Sequence, residues 1–333
     1  MRAPDLSDVL AAARVIRGQA DATPMVPSAL SARLGCDLWL KLETCQPTGA
    51  FKLRGALNAV AGLGAVPGVI CCSTGNHGRA LAHAARARGL RAVVCMSSLV
   101  PQAKVDGIRA LGAEVVIHGH SQDEAQAESA RRARVEGLVE VPPFDDPRVI
   151  AGQGTIALEM LAQQPDLDTL LVPLSGGGLA AGMALAARAI RPDIRVIGLT
   201  MARGAAMQAS LVAGHPVELP EVESLADSLG GGIGLDNRLT LALCRRHLDE
   251  VILLSEEEIR DAMQALFHED RLVAEGASVV GIAALLSGRV PARGRIGTVI
   301  TGRNVDMDQF LRVITGQDLQ LGEVIVKGKR YGA

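Results

Sequence analysis

Short apolar runs of four or five residues, bounded by glycine or a polar turn, alternate along this chain with longer stretches whose apolar residues recur every third or fourth position. The first pattern reads as buried strand and the second as amphipathic helix. Helices are predicted at 7–19, briefly from 30, from 56, and at 77–88, 101–111 and 121–136. Strands are predicted at 38–42, 68–72, 91–96 and 114–117, and 23–27 reads as a turn. Gly89 and Gly112 supply helix stops, a proline sits in the first turn at 101, and Ser121 with Glu124 forms a capping-box pattern. A second set follows, with helices at 153–162, 179–190, 205–213, 255–269 and 272–287 and strands at 170–173, 195–199 and 297–301. Strand–turn–helix alternation with short loops implies parallel sheets covered on both faces. The runs 56–140 and 151–305 therefore predict two doubly wound α/β domains with a cleft between them.

Composition narrows this picture. Hydrophobic residues make up 48% of the 333 residues but aromatics only 2%, so the core is predicted to be Ala, Val, Leu and Ile. A net charge of −2 without blocks of like charge, and few aromatic platforms, argue against a nucleic-acid partner. No apolar run reaches membrane-spanning length, and the N-terminal stretch is amphipathic without a signal-peptide core. The six cysteines show no metal-ligand spacing, and Cys71 and Cys72 end an apolar strand, where free thiols act as small hydrophobes. A reduced, cytoplasmic protein is expected.

The candidate chemistry begins at Lys52, set in PTGAFKLRG between Phe51 and Leu53 just before a predicted helix. An amine partly desolvated at a helix's positive end should have a lowered pKa, which suits a Schiff-base lysine. On this stretch alone an ordinary snorkelling lysine is the plainer account. Three polar or glycine-rich turns stand at carboxyl ends of predicted strands, where open α/β sheets bind ligands: STGNHG (73–78), SGGGL (175–179) and TGRN (301–304). The Gly176–Gly177–Gly178–Leu179 turn opens a helix and fits one phosphate monoester. It matches neither the dinucleotide fingerprint nor the P-loop. Ser73, Thr74, Asn76 and His77 could hold a carboxylate and give an amide to a ring oxygen, and Thr301 could set its hydroxyl on a buried heteroatom. A tight turn, a locally bonded histidine and a strand-end threonine are the bland readings of each. Together, a reactive lysine, a phosphate nest, an amide and a hydroxyl are the parts that hold pyridoxal phosphate.

PTGAFKLRGALNA, STGNHGRALAHAAR, PFDDPRVIAGQGTIALE, VPLSGGGLAAG and ITGRNVD resemble, in order and spacing, the signature blocks of fold-type II pyridoxal-phosphate enzymes, nearest the serine/threonine dehydratase and serine racemase group. The resemblance implies a tryptophan-synthase-β-like fold, with 1–50 and 151–333 as the large cofactor domain and 51–150 as the small one. It implies that Lys52 holds the cofactor and that Phe51 packs beside its ring. It also implies that Asn76 meets the ring oxygen, that Gly176, Gly177, Gly178 and Leu179 bind the phosphate, and that Thr301 faces the pyridine nitrogen. Ser73, Thr74, Asn76 and His77 become the substrate-carboxylate loop, with Lys52 and Thr74 as the candidate catalytic pair. A neutral hydroxyl at Thr301 favours prompt loss of a β-leaving group, so elimination of water from a β-hydroxy amino acid is expected. Many relatives bind a divalent cation through two carboxylates, but Thr200 and Ala206 stand at those positions, so no metal is expected. Thr74, where racemases carry serine, makes racemisation the weaker reading. LTMARGAAM, the GGGIGLDNR stretch ending at Arg238, and TGRNVDMDQF look most like the hydroxyectoine-utilisation dehydratases. The alternatives are a general L-threonine/L-serine ammonia-lyase, a β-hydroxyaspartate dehydratase and a pyridoxal-phosphate-binding regulatory protein. The resemblance further implies a homodimer or homotetramer. Glu275 reads equally as support behind the cofactor ring or as a helix cap.

Overall fold

The computed structural model describes residues 2–332 apart from 74, 99, 101 and 121. The Thr74 assignment, the proline at 101 and the Ser121 cap therefore lie outside the described residues. Among those described, ten strands form two sheets: β1 (Met25–Pro27), β2 (Asp37–Leu42), β3 (Gly68–Cys72), β4 (Arg91–Met96), β5 (Glu114–Ile117), β6 (Val139–Glu140), β7 (Thr169–Pro173), β8 (Arg195–Met201), β9 (Glu250–Leu254) and β10 (Arg295–Ile300). The larger sheet has the order β1-β2-β10-β7-β8-β9 and the smaller β5-β4-β3-β6. Every pairing is parallel except β1 with β2. β1 replaces the turn predicted at 23–27, because Met25 to Pro27 pairs antiparallel with Lys41 to Trp39. Pro27 is tolerated there at the sheet edge, where a missing N–H costs no ladder bond. No helix of the described chain is long and apolar enough to cross a membrane, and none of the six cysteines forms a disulfide.

The helix predicted at 153–162 begins at Pro147, with the Asp146 side chain capping Arg148 N and Val149 N. The helix predicted at 272–287 is shorter, Val280–Leu286, and follows a single 3-10 turn at Gly276–Ser278. Glu275 N instead donates to Gly302 O at 3.0 Å, which takes the chain out of helical register. Lys52 is the first residue of helix Lys52–Ala61 rather than a residue ahead of it. Helices Thr240–His247 and Met307–Ile314, strand β9 and the hairpin β11 (Leu319–Leu321) with β12 (Val324–Val326) lie in stretches without a predicted element.

Behind Lys52 lies a buried ionic cluster. Arg54, 1% exposed, donates to both carboxylate oxygens of fully buried Glu43 at 2.8 Å and to Glu159 at 2.6 and 2.8 Å. Lys41 Nζ, also fully buried, donates to Glu159 and to Thr23 O at 2.6 Å each. Burial alone would raise the Glu43 pKa, but the adjoining Arg54 charge and its hydrogen bonds hold it below the usual carboxylate range.

Helix Pro147–Gln163 crosses helix Lys52–Ala61 at Gly152, where an added Cβ would fall 2.6 Å from both Arg54 O and Gly55 Cα. Backbone cannot yield as a flexible side chain would. Gly152→Ala is expected to destabilise the protein by roughly 1–3 kcal/mol through overpacking, read as a lower urea midpoint. An unchanged midpoint would mean that the two helices separate at no cost.

Candidate active site

Two segments some 250 residues apart in sequence are zipped together. Ala50 and Gly302 form an antiparallel bridge, Phe51 N donates to Thr301 O at 2.9 Å, and Arg303 N donates to Gly49 O at 3.0 Å. This places the start of helix Lys52–Ala61 beside the end of β10. Phe51 is the helix N-cap and offers no side-chain cap, so the first turn is held by this bridge.

Lys52 Nζ donates to Pro143 O at 2.8 Å and stands 5.4 Å from the Phe51 ring centre. Burial, with no carboxylate to oppose it, pushes the amine down to about 8. His77 is 3% exposed and its Nε2 lies 2.8 Å from Val141 O. A carbonyl only accepts, so Nε2 is assigned the hydrogen. Nδ1 is buried and has no partner among the described residues. Burial, then the nearby Lys52 charge, pushes this imidazole down to about 3, so it stays neutral at working pH. A proton-donating imidazolium is thereby excluded as its role.

Val141 and Pro143 belong to one strand exit, and the next residue reaches the glycine turn. An added Cβ on Gly176 would fall 2.2 Å from Phe144 Cδ1, and one on Gly178 2.9 Å from Phe144 Cα. Gly177 has φ of 88°, a left-handed angle that disfavours a side chain. It caps helix Gly178–Ile190 with no side-chain bond, so Gly178 and Leu179 present a first turn open to an anion. The Asp145 carboxylate then accepts from Arg238 N, Leu239 N and Thr240 N at 2.7–3.0 Å, tying this exit to the loop before helix Thr240–His247.

Asn76 opens helix Asn76–Ala87, and its Nδ2 lies 3.0 Å from both oxygens of Glu275. Its Oδ1 accepts from Asn304 Nδ2 at 2.7 Å. Ser73 Oγ accepts from Gly75 N and Gly78 N at 3.3 and 3.1 Å, holding the turn before that helix. Thr301, 4% exposed, shares a 2.9 Å hydroxyl bond with Ser278, which also spans Gly302 N and O. Glu275 makes no cap bond. Its carboxylate accepts from Asn76, from Asn304 N and from Ser228 Oγ, while burial raises its pKa.

Lys52, Phe51, Asn76, His77, the glycine turn and Thr301 are thus linked through shared partners, whereas Thr74 is outside the description. Glu275, Ser278, Phe144, Asp145 and Asn304 complete the arrangement. Of these the sequence reading assigned a site role only to Glu275, and there left it undecided. Thr200 is buried in β8 and Ala206 begins helix Ala206–Ala213. Among the described residues no three His, Cys, Asp or Glu side chains group as metal ligands.

The uncapped glycine N-terminus, the low-pKa amine and the Thr301 hydroxyl fit pyridoxal phosphate by donor chemistry. Comparison with known proteins agrees. A family model described as pyridoxal-phosphate dependent enzyme matches residues 16–302. The chain is 54% identical over 299 residues to a Sinorhizobium fredii protein named "Putative threonine dehydratase", covering 88% of this chain and 90% of that one. It is 37% identical over 314 residues to the L-threonine ammonia-lyase of Thermotoga maritima, covering 93% and 78% respectively. Among solved structures, maize serine racemase superposes with a TM-score of 0.87 at 32% identity, covering 93% of this chain and 97% of that one. The chain belongs to the pyridoxal-phosphate dependent enzyme family, as a fold-type II lyase whose cofactor is pyridoxal phosphate.

Proposed function

We propose that this lyase eliminates water from a β-hydroxy amino acid of the threonine or serine type, releasing ammonia and a 2-oxo acid. The reaction takes place between a small domain, 51–150, and a large domain, 1–50 with 151–333. The observation that carries this reading is a desolvated amine, Lys52, sharing the Pro143–Phe144 exit with the glycine turn.

Pyridoxal phosphate, when bound, supplies the aldehyde that condenses with amines and the conjugated ring that takes up electrons left at the α-carbon. Lys52 is the amine that holds the cofactor, and Phe51 lies beside its ring. Gly176, Gly177, Gly178 and Leu179 would give N–H groups to the phosphate, and Asn76 would donate to the ring oxygen. Thr301, bonded to Ser278, would meet the pyridine nitrogen with a group that carries no negative charge at working pH. With no carboxylate there to hold a proton on the ring nitrogen, Thr301 would suit prompt loss of a β-hydroxyl, and Lys52 Nζ, once freed by the substrate amine, would take the α-proton. Ser73, Thr74, Asn76 and neutral His77 form the loop for the substrate carboxylate. The absence of carboxylates at Thr200 and Ala206 supports a reaction without a divalent cation. We take the enzyme to be a cytoplasmic homodimer or homotetramer.

A narrower reading places the enzyme in hydroxyectoine catabolism. The GGGIGLDNR stretch that carries this likeness ends at Arg238, whose N–H is bonded to Asp145 next to Phe144, so the distinctive loop borders the site. Ring-closed hydroxyectoine hides its nitrogens in an amidine, whereas condensation needs a free amine beside the acidic C–H. The ring-opened β-hydroxy diamino acid is therefore the expected substrate.

Three measurements test these readings. A panel of β-hydroxy amino acids on the purified holoenzyme should yield ammonia and 2-oxo acid, with EDTA making no difference. Lys52→Ala should lower turnover by about 10²–10⁴-fold, the span typical of a general base. Undiminished turnover in that variant would end the assignment. Second, ring-opened hydroxyectoine should outperform both the ring-closed compound and threonine, and threonine as the best substrate would return the enzyme to general ammonia-lyase. Third, cofactor capture by the apo-protein needs the neutral amine, which exists above the Lys52 pKa of about 8. Its rate should rise about tenfold per pH unit up to that point and then level. An unshifted lysine, at 10.5, would give a rate still climbing at pH 9.

A further inference from the structure

An asparagine side chain carries an acceptor and a donor on one fork, and only the donor end can serve a ligand oxygen. Which end Asn76 presents is decided by its neighbours. The Thr48 carbonyl can only accept, and Asn304 Nδ2 donates to it at 3.0 Å. The same NH2 group donates to Asn76 Oδ1 at 2.7 Å. Asn76 therefore spends its oxygen on Asn304, and its Nδ2 lies on the other arm, between the two Glu275 oxygens. Those oxygens also take Asn304 N at 2.8 Å and Ser228 Oγ at 2.9 Å, so one residue, Asn304, bonds both the amide and its carboxylate partner. An NH2 group centred between two carboxylate oxygens spends one hydrogen on them and keeps a second for another acceptor.

We infer that Asn304 is a positioning residue that fixes the donor end of Asn76 toward the cofactor's ring oxygen. It does so by relaying the fixed polarity of the Thr48 carbonyl through its own side-chain amide. The inference rests on the reading of Asn76 as the ring-oxygen donor. Without Asn304 the Asn76 oxygen loses its donor and Glu275 alone holds the fork, against a turned state in which the Asn76 carbonyl would face the ring oxygen, lone pair against lone pair. A donor stabilises the ionised ring oxygen and an acceptor disfavours it, so the relay sets both cofactor affinity and the proton equilibrium of that oxygen.

The test uses the holoenzyme and three variants: Asn304→Ala, Asn76→Ala and the two combined. The readouts are the visible absorbance of the bound cofactor across pH and the dissociation constant for pyridoxal phosphate added to the apo-protein. Asn304→Ala should raise the pH midpoint of the absorbance change by about one unit and weaken cofactor binding about tenfold, the size expected for losing a hydrogen bond to a charged group. Asn76→Ala should do at least as much, and Asn304→Ala should add nothing further once Asn76 is gone. If Asn304→Ala shifts the band equally with Asn76 already removed, Asn304 acts only on the local structure and the inference is overturned. If Asn76→Ala moves the band while Asn304→Ala does not, the inference fails and the reading of Asn76 stands. If neither moves it, Asn76 is not the ring-oxygen donor, and both fall together. Asn304→Leu, which keeps the volume and removes the amide, carries the same expectations should the alanine variant fail to fold.

Discussion

A guanidinium with 1% of its surface exposed has to be neutralised where it sits, and Arg54 is neutralised by Glu43 and Glu159 together. Glu43 follows the last residue of β2, Glu159 belongs to helix Pro147–Gln163, and Arg54 stands two residues after Lys52. The cluster thus locks three elements to one another at the foot of Lys52. As a whole it adds little net stability, because desolvating several charges consumes most of what their attraction supplies. Losing one member is different, leaving an uncompensated buried charge at a cost on the order of 3–5 kcal/mol. The consequence of the cluster is therefore positional. The helix that begins at Lys52 can take only the position in which Arg54 meets both carboxylates.

With that helix fixed, the Lys52 side chain has one direction to extend, toward the Pro143 carbonyl and away from the ionic cluster. The two amines of this region then differ for a physical reason. Lys41 is buried against Glu159, whose charge partly offsets its desolvation, and serves structure. Lys52 is buried against a carbonyl dipole and an aromatic face, neither of which restores the lost hydration. Its amine is pushed down to about 8, which leaves roughly a tenth of it neutral at pH 7.

Much of the fold and of the site's chemistry was legible because it is written locally. β3, β4 and β5 are short apolar runs between glycine and turn residues, and their predicted ends match those observed. The glycine turn and Lys52 are likewise signals within a few residues. What escaped was tertiary. The stretch before Val280 has apolar spacing suited to a helix, yet Glu275 is drawn out of register by Gly302 and by the Asn76 and Asn304 amides. Met25 to Pro27 reads as a turn until β2 supplies an antiparallel partner. Asn304 and Ser278 gave no local hint, since their partners lie 228 and 23 residues away in sequence. The start of helix Pro147–Gln163 is the instructive exception, because Asp146 followed by Pro147 is a local cap signal that outweighs the glycines after it.

The polar groups around the cleft follow one electrostatic logic. Lys52 lacks a counter-ion and is pushed toward its neutral form. Glu275 has only neutral donors, from Asn76, Asn304 and Ser228, and is pushed in the same sense toward its own neutral form. His77 is neutral, and Thr301 and Ser278 are hydroxyls that form no ion at working pH. Paired charges lie in the ionic cluster behind Lys52 and between Lys104 and Asp227, and the Asp145 carboxylate is spent on three backbone N–H groups. Among the described residues no carboxylate opposes the desolvation of the Lys52 amine, so its proton is held less firmly than in water. The ionic cluster that sets the position of Lys52 thus spends its charges on one another rather than on that amine.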